Sequence, residues 1–518
     1  MTETQAADPK VAELSAEVDT LTYRLEESLA QLRAENAGWD IVGAESDTNP
    51  SHEVLVRDAN LVRASSGMNP LMVRAKAVRG AYVWGGGVTV EAASTGEQGT
   101  QDVQQVVTEF FEDAGNQAAV FGDQAREALE GDLFDDGNVF IGHWVDPWAG
   151  GTKVRVIPFD EIVEIHTAPG DRSVPQFYRR RWTEQGIGDT TPRTLEALYP
   201  ALDYDPQTQP KQAADGTPIL WPGTITTGKG LVKATGAAVY HLKVNPVGRH
   251  KKWGRGDGFA ARPWAFAYKG FLEDCKALYH ALAKIAHVLS GTKDKVQLAR
   301  TGQQMQNGPA GGTVFGNDLQ VNTPSYSGID PKSGRPFAAL VGAAVGLPVT
   351  VLTADPGQEG ARAVAETLDK PTRLLFESRQ RLWAEFFRAS IGYRVKMAVL
   401  APRGILKGRI DREGDRTVAV FTDKTDAAIE VTFPPIEDAN LTTVVEALAK
   451  ADATEKMPPL EVMRLLLRAF EVEGADEILK KYTDDEGEFI PPATATADAA
   501  GQAAANALRN GGDPSEIL

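Results

Sequence analysis

The sequence is poor in the residues from which disulfides and metal centres are built. Its one cysteine, Cys275, excludes a disulfide within the chain and a cysteine-based zinc site. Cys275 lies in a helical pattern, where we expect a small, half-buried core residue. The seven histidines are scattered, and none belongs to an HExxH motif or pairs with nearby carboxylates. We therefore expect core or solvated histidines, no metal ion and no cofactor.

Long apolar segments are missing as well. No run of about 18 apolar residues occurs, which argues against a membrane-spanning helix. The N-terminal segment MTETQAADPK is polar and acidic, without the apolar stretch of a secretory signal. The sequence therefore predicts a soluble protein that is neither exported nor embedded in a membrane.

Positive charge is scarce. The chain has 54 Lys and Arg against 71 Asp and Glu, a formal net charge of -17. A protein that coats nucleic acid needs clustered Lys and Arg to neutralise phosphates, so this balance argues against that class. An acidic balance is acceptable, and even useful, for a protein that DNA must pass without sticking.

No catalytic motif is complete. Segment 223–230 has the spacing of a phosphate-binding P-loop, but Gly230 stands where the magnesium-binding hydroxyl is required. The flanks also differ from a P-loop, since Pro222 precedes the segment and a strand-like pattern follows it. There is no GxSxG motif, and Asp135–Asp136 lies in a turn signal, where Asp is common for its own backbone hydrogen bonds. The sequence predicts a protein that is not an enzyme.

Hydrophobic periodicity in the first half predicts an α+β chain. Residues 11–32 keep the apolar spacing of an amphipathic helix, which fits a short coiled coil and a peripheral packing helix equally well. A helix from Asn69–Pro70 to Tyr82 precedes a glycine turn and a strand at 88–91, and 103–132 is helical again. Strands are predicted at 139–144, 154–158, 162–165, 177–182 and 237–242, with an inserted loop region at 203–231.

The second half is mainly helical. Helices are predicted at 258–289 and 331–346, on either side of a Gly- and Asn-rich insert with short strands. A loop at 347–360 leads into a helix from Ala361 to Ala401, broken at Pro371. At roughly 1.5 Å per residue this helix is about 60 Å long, so we expect it to cross a large assembly or link two of its layers. The remaining pattern predicts two strands within 409–433 and helices at 441–451, 459–470 and 475–482.

Charge and aromatic residues concentrate in one sector. Residues 240–300 hold twelve Lys or Arg against four acids, a local charge of +8. This sector could contact DNA, pair with acids of a neighbouring copy, or form a solvated face, and the sequence favours none of the three. Interleaved aromatics suit a nucleic-acid surface but are more typical of helix packing. They are Trp253, Trp264, Phe266, Tyr268, Phe271 and Tyr279.

Small residues dominate the predicted helix at 331–346. They expose little bulk, so other backbones can approach closely on more than one side. A monomer rarely needs such a helix, whereas a tightly packed ring of parallel helices does. The residues predicted to pack between subunits are Ala338, Ala339, Gly342 and Ala343.

The order of these elements resembles the portal protein family of tailed bacteriophages. The matching motifs are Asn69–Pro70 with its helix and 82–87, followed by 154–162, which looks like a strand pair of the portal wing. The most specific are 346–352, 361–369 and 377–381, which look like the portal tunnel loop and the helix behind it. The resemblance covers residues 50 to 485, and the order of the motifs carries most of its weight.

This resemblance implies an α+β portal fold with wing, stem, clip and helical crown, assembled as a ring. Residues 1–49 would form an N-terminal amphipathic helix and linker, and 488–518 a disordered tail. The implied parts between them are wing 50–255, stem helix 256–289, clip 290–327, second stem helix 328–347, tunnel loop 348–360, long kinked wing helix with wing strands 361–435, and crown helices 436–487.

The resemblance also implies functional residues. Acidic or polar side chains in the tunnel loop would repel phosphates and ease the sliding of DNA, and Pro356–Gly357 would keep that loop mobile. The implied channel residues are Thr350, Asp355, Gln358 and Glu359. The clip residues implied to bind partner proteins are Lys293, Lys295, Arg300, Asn317 and Asp318.

Portal membership would place a ring, typically of twelve subunits, at one vertex of the virion capsid, after assembly in the host cytoplasm. Its implied partners are the terminase large subunit, head-completion or adaptor proteins, major capsid and scaffold proteins, and the double-stranded DNA that passes through, with no membrane. Two alternatives stay open. One is another ring- or shell-forming virion protein, and the less favoured one is a head-associated nuclease, which needs clustered carboxylates for metal ions.

Overall fold

The computed structural model describes residues 49–92, 100–185, 191–228, 231–284, 288–290, 320–322, 330–353, 362–413, 416–425, 428–433, 436, 448, 450, 458–469, 479 and 482. The chain divides into two compact units, Met1–Phe433 and Pro434–Leu518. The predicted N-terminal helix at 11–32 and the tail at 488–518 lie outside the described residues. The described part mixes helices with antiparallel strands, in agreement with the predicted α+β class.

The described part of the first unit begins with two helices that meet at Asn69, α1 (His52–Met68) and α2 (Pro70–Trp84). The Asn69 side chain accepts a hydrogen bond from the Leu71 amide at 3.0 Å and so caps α2. Proline suits the first helical position because its missing amide needs no partner there. The helix start predicted at Asn69–Pro70 is therefore confirmed.

Helix α1 has no counterpart among the predicted elements. Its buried face includes the polar residues Asp58, Ser65 and Ser66, which dilute the apolar periodicity. Two of them have partners far along the chain, since Ser66 Oγ donates to Asp135 Oδ1 at 2.7 Å and Asp58 pairs with Arg255, whereas Ser65 Oγ donates to the Leu61 carbonyl within the helix.

The helix predicted at 103–132 is interrupted. Strand β1 (Thr89–Ala92) is followed by α3 (Val103–Glu112), and α4 (Asp123–Asp135) begins only after a π-helical turn. The buried Asn116 side chain explains the break. It donates to the carbonyl oxygens of Phe110 and Thr152 and accepts from the Val154 amide, all within 3.1 Å. These three hydrogen bonds from the Asn116 side-chain amide satisfy backbone groups of Phe110, Thr152 and Val154. An unbroken helix would not hold Asn116 where it reaches all three.

The middle of the unit consists of two three-stranded antiparallel sheets and a hairpin. The strands are β2 (Asn138–Val145), β3 (Thr152–Ile157), β4 (Ile162–Ala168), β5 (Asp171–Glu184), β6 (Arg193–Pro200), β7 (Ile225–Gly228), β8 (Leu231–Thr235) and β9 (Ala237–Lys243). The sheet orders are β3–β2–β9 and β4–β5–β6, and β7 pairs with β8. The five strands predicted in this region are confirmed. A shared core joins the two sheets through Phe140, Ile157, Ile162, Tyr178, Tyr199 and Val239.

The next helix is shorter than predicted. It is α5 (Gly258–Lys284), and the residues expected to end it form strand β10 (Val288–Ser290), which pairs with β11 (Gln320–Asn322). This pairing confirms the short strands predicted for the insert. One of them, β10, begins before the insert, within the predicted helix. A 3₁₀ turn then leads into α6 (Arg335–Val345), close to the predicted bounds.

Two further differences follow α6. The predicted loop at 347–360 contains a short helix, α7 (Val349–Thr353), in which the Val351 and Leu352 amides donate to the Pro348 carbonyl. Helix α8 (Arg362–Leu400) runs through Pro371 without the predicted break. A proline inside a helix costs about 3 kcal/mol, and the extensive burial of the later part of α8 outweighs that local cost.

Three strands complete the first unit: β12 (Gly408–Glu413), β13 (Arg416–Phe421) and β14 (Ile429–Thr432). The hairpin β12–β13 confirms the strands predicted around residues 412–415. β14 pairs with the distant β1, with Val90 opposite Val431. In the second unit the structure describes α9 (Pro459–Ala469), as predicted at 459–470. Of the helices predicted at 441–451 and 475–482, the structure describes only the single residues 448, 450, 479 and 482, so both stay predictions.

Candidate functional site

Helices α5 and α6 pack against each other in opposite directions. Phe337 near the start of α6 meets Phe271 of α5, with ring centroids 6.1 Å apart. At the other end, Arg79 of α2 links the Val345 carbonyl of α6 to Asp257, which directly precedes α5. The two helices therefore form one paired element held against α2.

The four small residues of α6 divide between two faces. Ala338 and Gly342 are buried inside the chain, and a Cβ at Gly342 would lie 2.5 Å from the Leu347 carbonyl oxygen. Glycine is thus required there by the chain's own turn. Ala339 and Ala343 lie on the exposed face. Of the residues predicted to pack between subunits, only these two remain accessible in one copy.

The exposed faces of the α5–α6 pair are rich in apolar side chains. Trp264, Phe266 and Tyr279 of α5 are 40–43% exposed, and Leu340 of α6 is 41% exposed. Cys275 is buried and unpaired, so its expected place in the core is confirmed. The other three aromatic residues of this sector, Trp253, Tyr268 and Phe271, are half-buried, so the structure leaves both interpretations of the aromatic residues open.

Thr350 is the predicted channel residue that the structure describes. It is exposed on α7, while Leu352 on the same short helix is buried. The hydroxyl of Thr353 donates to the Val349 carbonyl at 2.8 Å. A cleft of about 440 Å³ lies beside α7 and is lined partly by Leu71, Tyr268 and Leu352.

The other predicted contact residues lie outside the described part of the chain. For the tunnel loop these are Asp355, Gln358 and Glu359. For the clip they are Lys293, Lys295, Arg300, Asn317 and Asp318. Their roles stay predictions.

Four buried charged residues near the α6 terminus had no sequence prediction. They come from α2, α4, the turn before α5, and α8, and we call them the central ion cluster: Arg79, Glu130, Asp257 and Arg379. Burial raises the pKa of Glu130 and lowers that of Arg79. The sequence could have indicated that Arg379 is buried, since it lies between Phe376 and Trp383 on the apolar face of a helix. An arginine in such a stripe indicates a buried anionic partner.

The Asp135–Asp136 pair is not a simple turn signal. Asp135 is the last residue of α4, and Asp135 and Asp136 are each only 4% exposed. The Lys76 ammonium contacts Asp135 at 2.6 Å, and the Arg63 guanidinium contacts Asp136. Burial nevertheless raises the pKa of Asp136 to about 7, because desolvation outweighs the attraction of Arg63. The sequence interpretation missed these roles because the cationic partners lie on α1 and α2.

The P-loop interpretation has no support in this fold. Residues 225–228 of this segment form strand β7, which pairs with β8 so that Gly228 lies opposite Leu231. A phosphate-binding loop instead connects a strand to the start of a helix, whose amides face the phosphate. This geometry agrees with the differences from a P-loop that the sequence shows at Gly230 and in the flanks.

Two histidines belong to the core, as expected. The His143 Nε2 atom lies 2.8 Å from Ser390 Oγ, and burial lowers the pKa of His143 to about 4. The His241 ring stacks on Phe140 with centroids 4.2 Å apart, and burial holds the pKa of His241 well below its usual value. Within the part of the chain that the structure describes, no group of His, Cys, Asp and Glu could hold a metal ion.

None of the helices in the described ranges combines the length and apolar character of a membrane span. No protein-family model matches the sequence, and no curated protein matches it. Among solved structures, a chain of "Virion of native gene transfer agent (GTA) particle" is 14% identical at a TM-score of 0.45, with coverage of 84% of this chain and 96% of that chain. A chain of "Neck of empty GTA particle computed with C6 symmetry" is 14% identical at a TM-score of 0.45, with coverage of 79% and 93%.

Proposed function

We propose that this chain is the subunit of a phage portal ring that conducts double-stranded DNA. The carrying observation is the exposed surface of the α5–α6 pair. Four large apolar side chains of this pair, Trp264, Phe266, Tyr279 and Leu340, are 40–43% exposed, and the small residues Ala339 and Ala343 of α6 are exposed as well. Several large apolar side chains exposed on one helix pair indicate an interaction surface, and small residues permit close helix approach. A neighbouring copy fits both features, because ring subunits repeat one heterologous contact.

The order of the sequence motifs, which resembles that of portal proteins, supports a portal among the proteins that form rings. In that arrangement α5 and α6 are the stem helices, and α7 carries Thr350 to the channel. An overall charge of -17 suits a channel wall that repels phosphates more than it binds them. The clip residues would receive the terminase large subunit and later the head-completion proteins. The ring would occupy one capsid vertex of the virion.

Electron microscopy of the purified chain tests this function. We expect end-on views with a closed ring and a central hole, and native mass spectrometry should give one discrete subunit number. A closed shell, an open filament or a monomer at micromolar concentration would count against a portal. A solid, closed oligomer would favour the alternative of another assembly-forming virion protein.

A pair of variants tests the surface that carries the proposal. Leu340→Asp should abolish ring formation, because a carboxylate on an apolar contact must be desolvated. Leu400→Asp is the matched control, since Leu400 is 52% exposed at the end of α8, away from the α5–α6 pair. It should leave rings intact. Rings of normal yield from Leu340→Asp would overturn the assignment of this surface.

A further inference from the structure

The central ion cluster joins four separate elements of the first unit at one point. Its four side chains are between 2% and 11% exposed. Asp257 Oδ2 accepts hydrogen bonds from both guanidiniums, from Arg79 Nη2 at 2.7 Å and from Arg379 Nη2. Its other oxygen accepts from Asn245 Nδ2 at 2.8 Å. Asp257 thus bridges α2 and α8 directly in front of α5.

Glu130 closes the cluster from the side of α4. One of its carboxylate oxygens accepts from Trp383 Nε1 at 2.8 Å. The other oxygen lies 3.5 Å from Arg379 Nε and 3.9 Å from Arg79 Nη2. Two cations therefore face two anions, and the buried charge is balanced.

The cluster reaches α6 through one bond. Arg79 Nη1 donates to the carbonyl oxygen of Val345, the last residue of α6, at 2.6 Å. Gly346 follows with a φ of 74°, a left-handed conformation that glycine adopts without strain. Leu375 of α8 packs on this glycine, where an added Cβ would meet its side chain at 2.8 Å. The end of α6, and α7 directly after it, is held by α8 both directly and through the cluster.

Stability alone does not account for these buried charges. Desolvating two ion pairs costs about as much as their mutual attraction returns, and well-packed apolar residues often serve equally well. Buried polar groups are best attested as devices that select one arrangement of the surrounding elements. The single link from Arg79 to the end of α6 indicates which arrangement is selected here.

We propose that the central ion cluster positions the α6–α7 segment against α8, with Arg379 acting through Asp257 and Arg79 on the helix that carries Thr350. Arg79 and Arg379 are positioning residues in this scheme. Its consequence for a DNA channel rests on the proposed function, whereas the coupling between α8 and α6–α7 does not.

Hydrogen–deuterium exchange of the full chain tests the coupling. The double variant Arg379→Gln/Glu130→Gln removes one cation and one anion and keeps the charge balance. Neither side chain bonds to α6 or α7, yet exchange in 335–353 should accelerate by about tenfold or more if the cluster positions this segment. The conservative variant Arg379→Lys keeps a cation beside Asp257 and should recover part of the protection.

Arg394→Gln is the matched control on the same helix. Arg394 is similarly buried and donates to the Gly150 carbonyl at 3.0 Å, but it makes no contact with the cluster. This variant should leave exchange in 335–353 unchanged. Equal exchange there in the double variant and in Arg394→Gln would overturn the coupling, whatever the oligomeric state.

A milder change keeps the test decisive if the double variant does not fold. Arg79→Lys retains a cation for Asp257 but lacks the forked geometry that also reaches the Val345 carbonyl. Exchange should rise at 342–353, while α8 stays protected. Unchanged exchange at 342–353 in this folded variant would likewise reject the proposal. Failure of the wild-type chain to form rings would reject the portal function and leave the coupling result standing.

Discussion

The two longest helices among the described residues, α8 and α5, differ in how far their own chain buries them. The later part of α8 is enclosed by its own chain, and its fully buried side chains include Phe376, Trp383, Phe386, Phe387 and Ile391. α5 buries a narrow stripe that includes Ala261, Ala265 and Cys275, and it leaves three aromatic residues exposed. The comparison teaches that the later part of α8 completes the core of one chain, whereas α5 and α6 leave apolar side chains exposed, which the proposed function assigns to a neighbouring copy.

Glycines show the same contrast on a smaller scale. A Cβ added at Gly342 of α6 would collide with the Leu347 carbonyl, whereas one added at Gly270 of α5 would meet nothing within 4 Å. The first glycine is required by the chain's own fold. The second lies on the open side of α5, where the single chain makes no use of the space.

The largest expected difference in stability is between two phenylalanine truncations, one on α8 and one on α5. Phe386→Ala should lower the free energy of unfolding by about 3–5 kcal/mol, since the side chain is fully buried. Phe266→Ala on the 42% exposed position should cost less than about 1 kcal/mol. Urea unfolding of both variants under conditions that keep the chain monomeric measures the difference. Equal losses would break the comparison between the two helices.

The free energy of unfolding should depend on pH through Asp136, which follows α4 and pairs with Arg63 of α1. Burial raises the pKa of Asp136 from 3.8 to about 7, so the folded chain holds a proton in this range that the unfolded chain has lost. Stability should therefore fall as pH rises from about 4 to about 7, by at most about 1.4 kcal/mol per pH unit from this group. Asp136→Asn should remove that part of the slope.

Denaturant unfolding of wild type and Asp136→Asn at several pH values between 4 and 7 measures this difference. Exposed Asp171→Asn serves as the control, because Asp171 has a pKa below its ordinary value and stays ionised throughout this range. Parallel pH profiles of wild type and Asp136→Asn would show that Asp136 does not titrate there.

The smallest expected changes in stability come from substituting the two compared glycines, Gly342 and Gly270. Gly342→Val should destabilise the monomer by about 1–3 kcal/mol through overpacking against the Leu347 backbone. Gly270→Ala should stabilise it by about 0.5–1 kcal/mol, since alanine is the better helix former and the space is open. Thermal unfolding of the two variants checks the opposite signs. If both were destabilising, the open side of α5 would be filled within the chain.

The strand pattern was largely predictable from the sequence because short apolar runs such as Val139, Phe140 and Ile141 carry the signal locally. The interruption of the 103–132 helix was not, since it depends on bonds from Asn116 to Thr152 and Val154. Pairing of β1 with β14 joins segments more than 330 residues apart, as the register of Val90 with Val431 shows. Local periodicity contains no information about such partners.

The candidate site divides in the same manner. The small residues of α6 were predictable as a group, but the turn at Leu347 determines that Gly342 faces inward while Ala343 stays exposed. Helix α7 was predicted as a loop, because a short helix that begins at a proline has too few residues to show a period. The central ion cluster was not predicted at all, since its four members are spread from Arg79 to Arg379.

By itself the sequence determined the α+β class, most element positions, and an acidic balance that argues against a protein that coats nucleic acid. These properties follow from residue spacing and composition, which act locally or sum over the whole chain. Only the tertiary structure decided which apolar side chains stay exposed on α5 and α6 and which charges meet between α2, α4 and α8. The reason is that burial and ion pairing depend on distances between remote segments, and those distances exist only once the chain has folded.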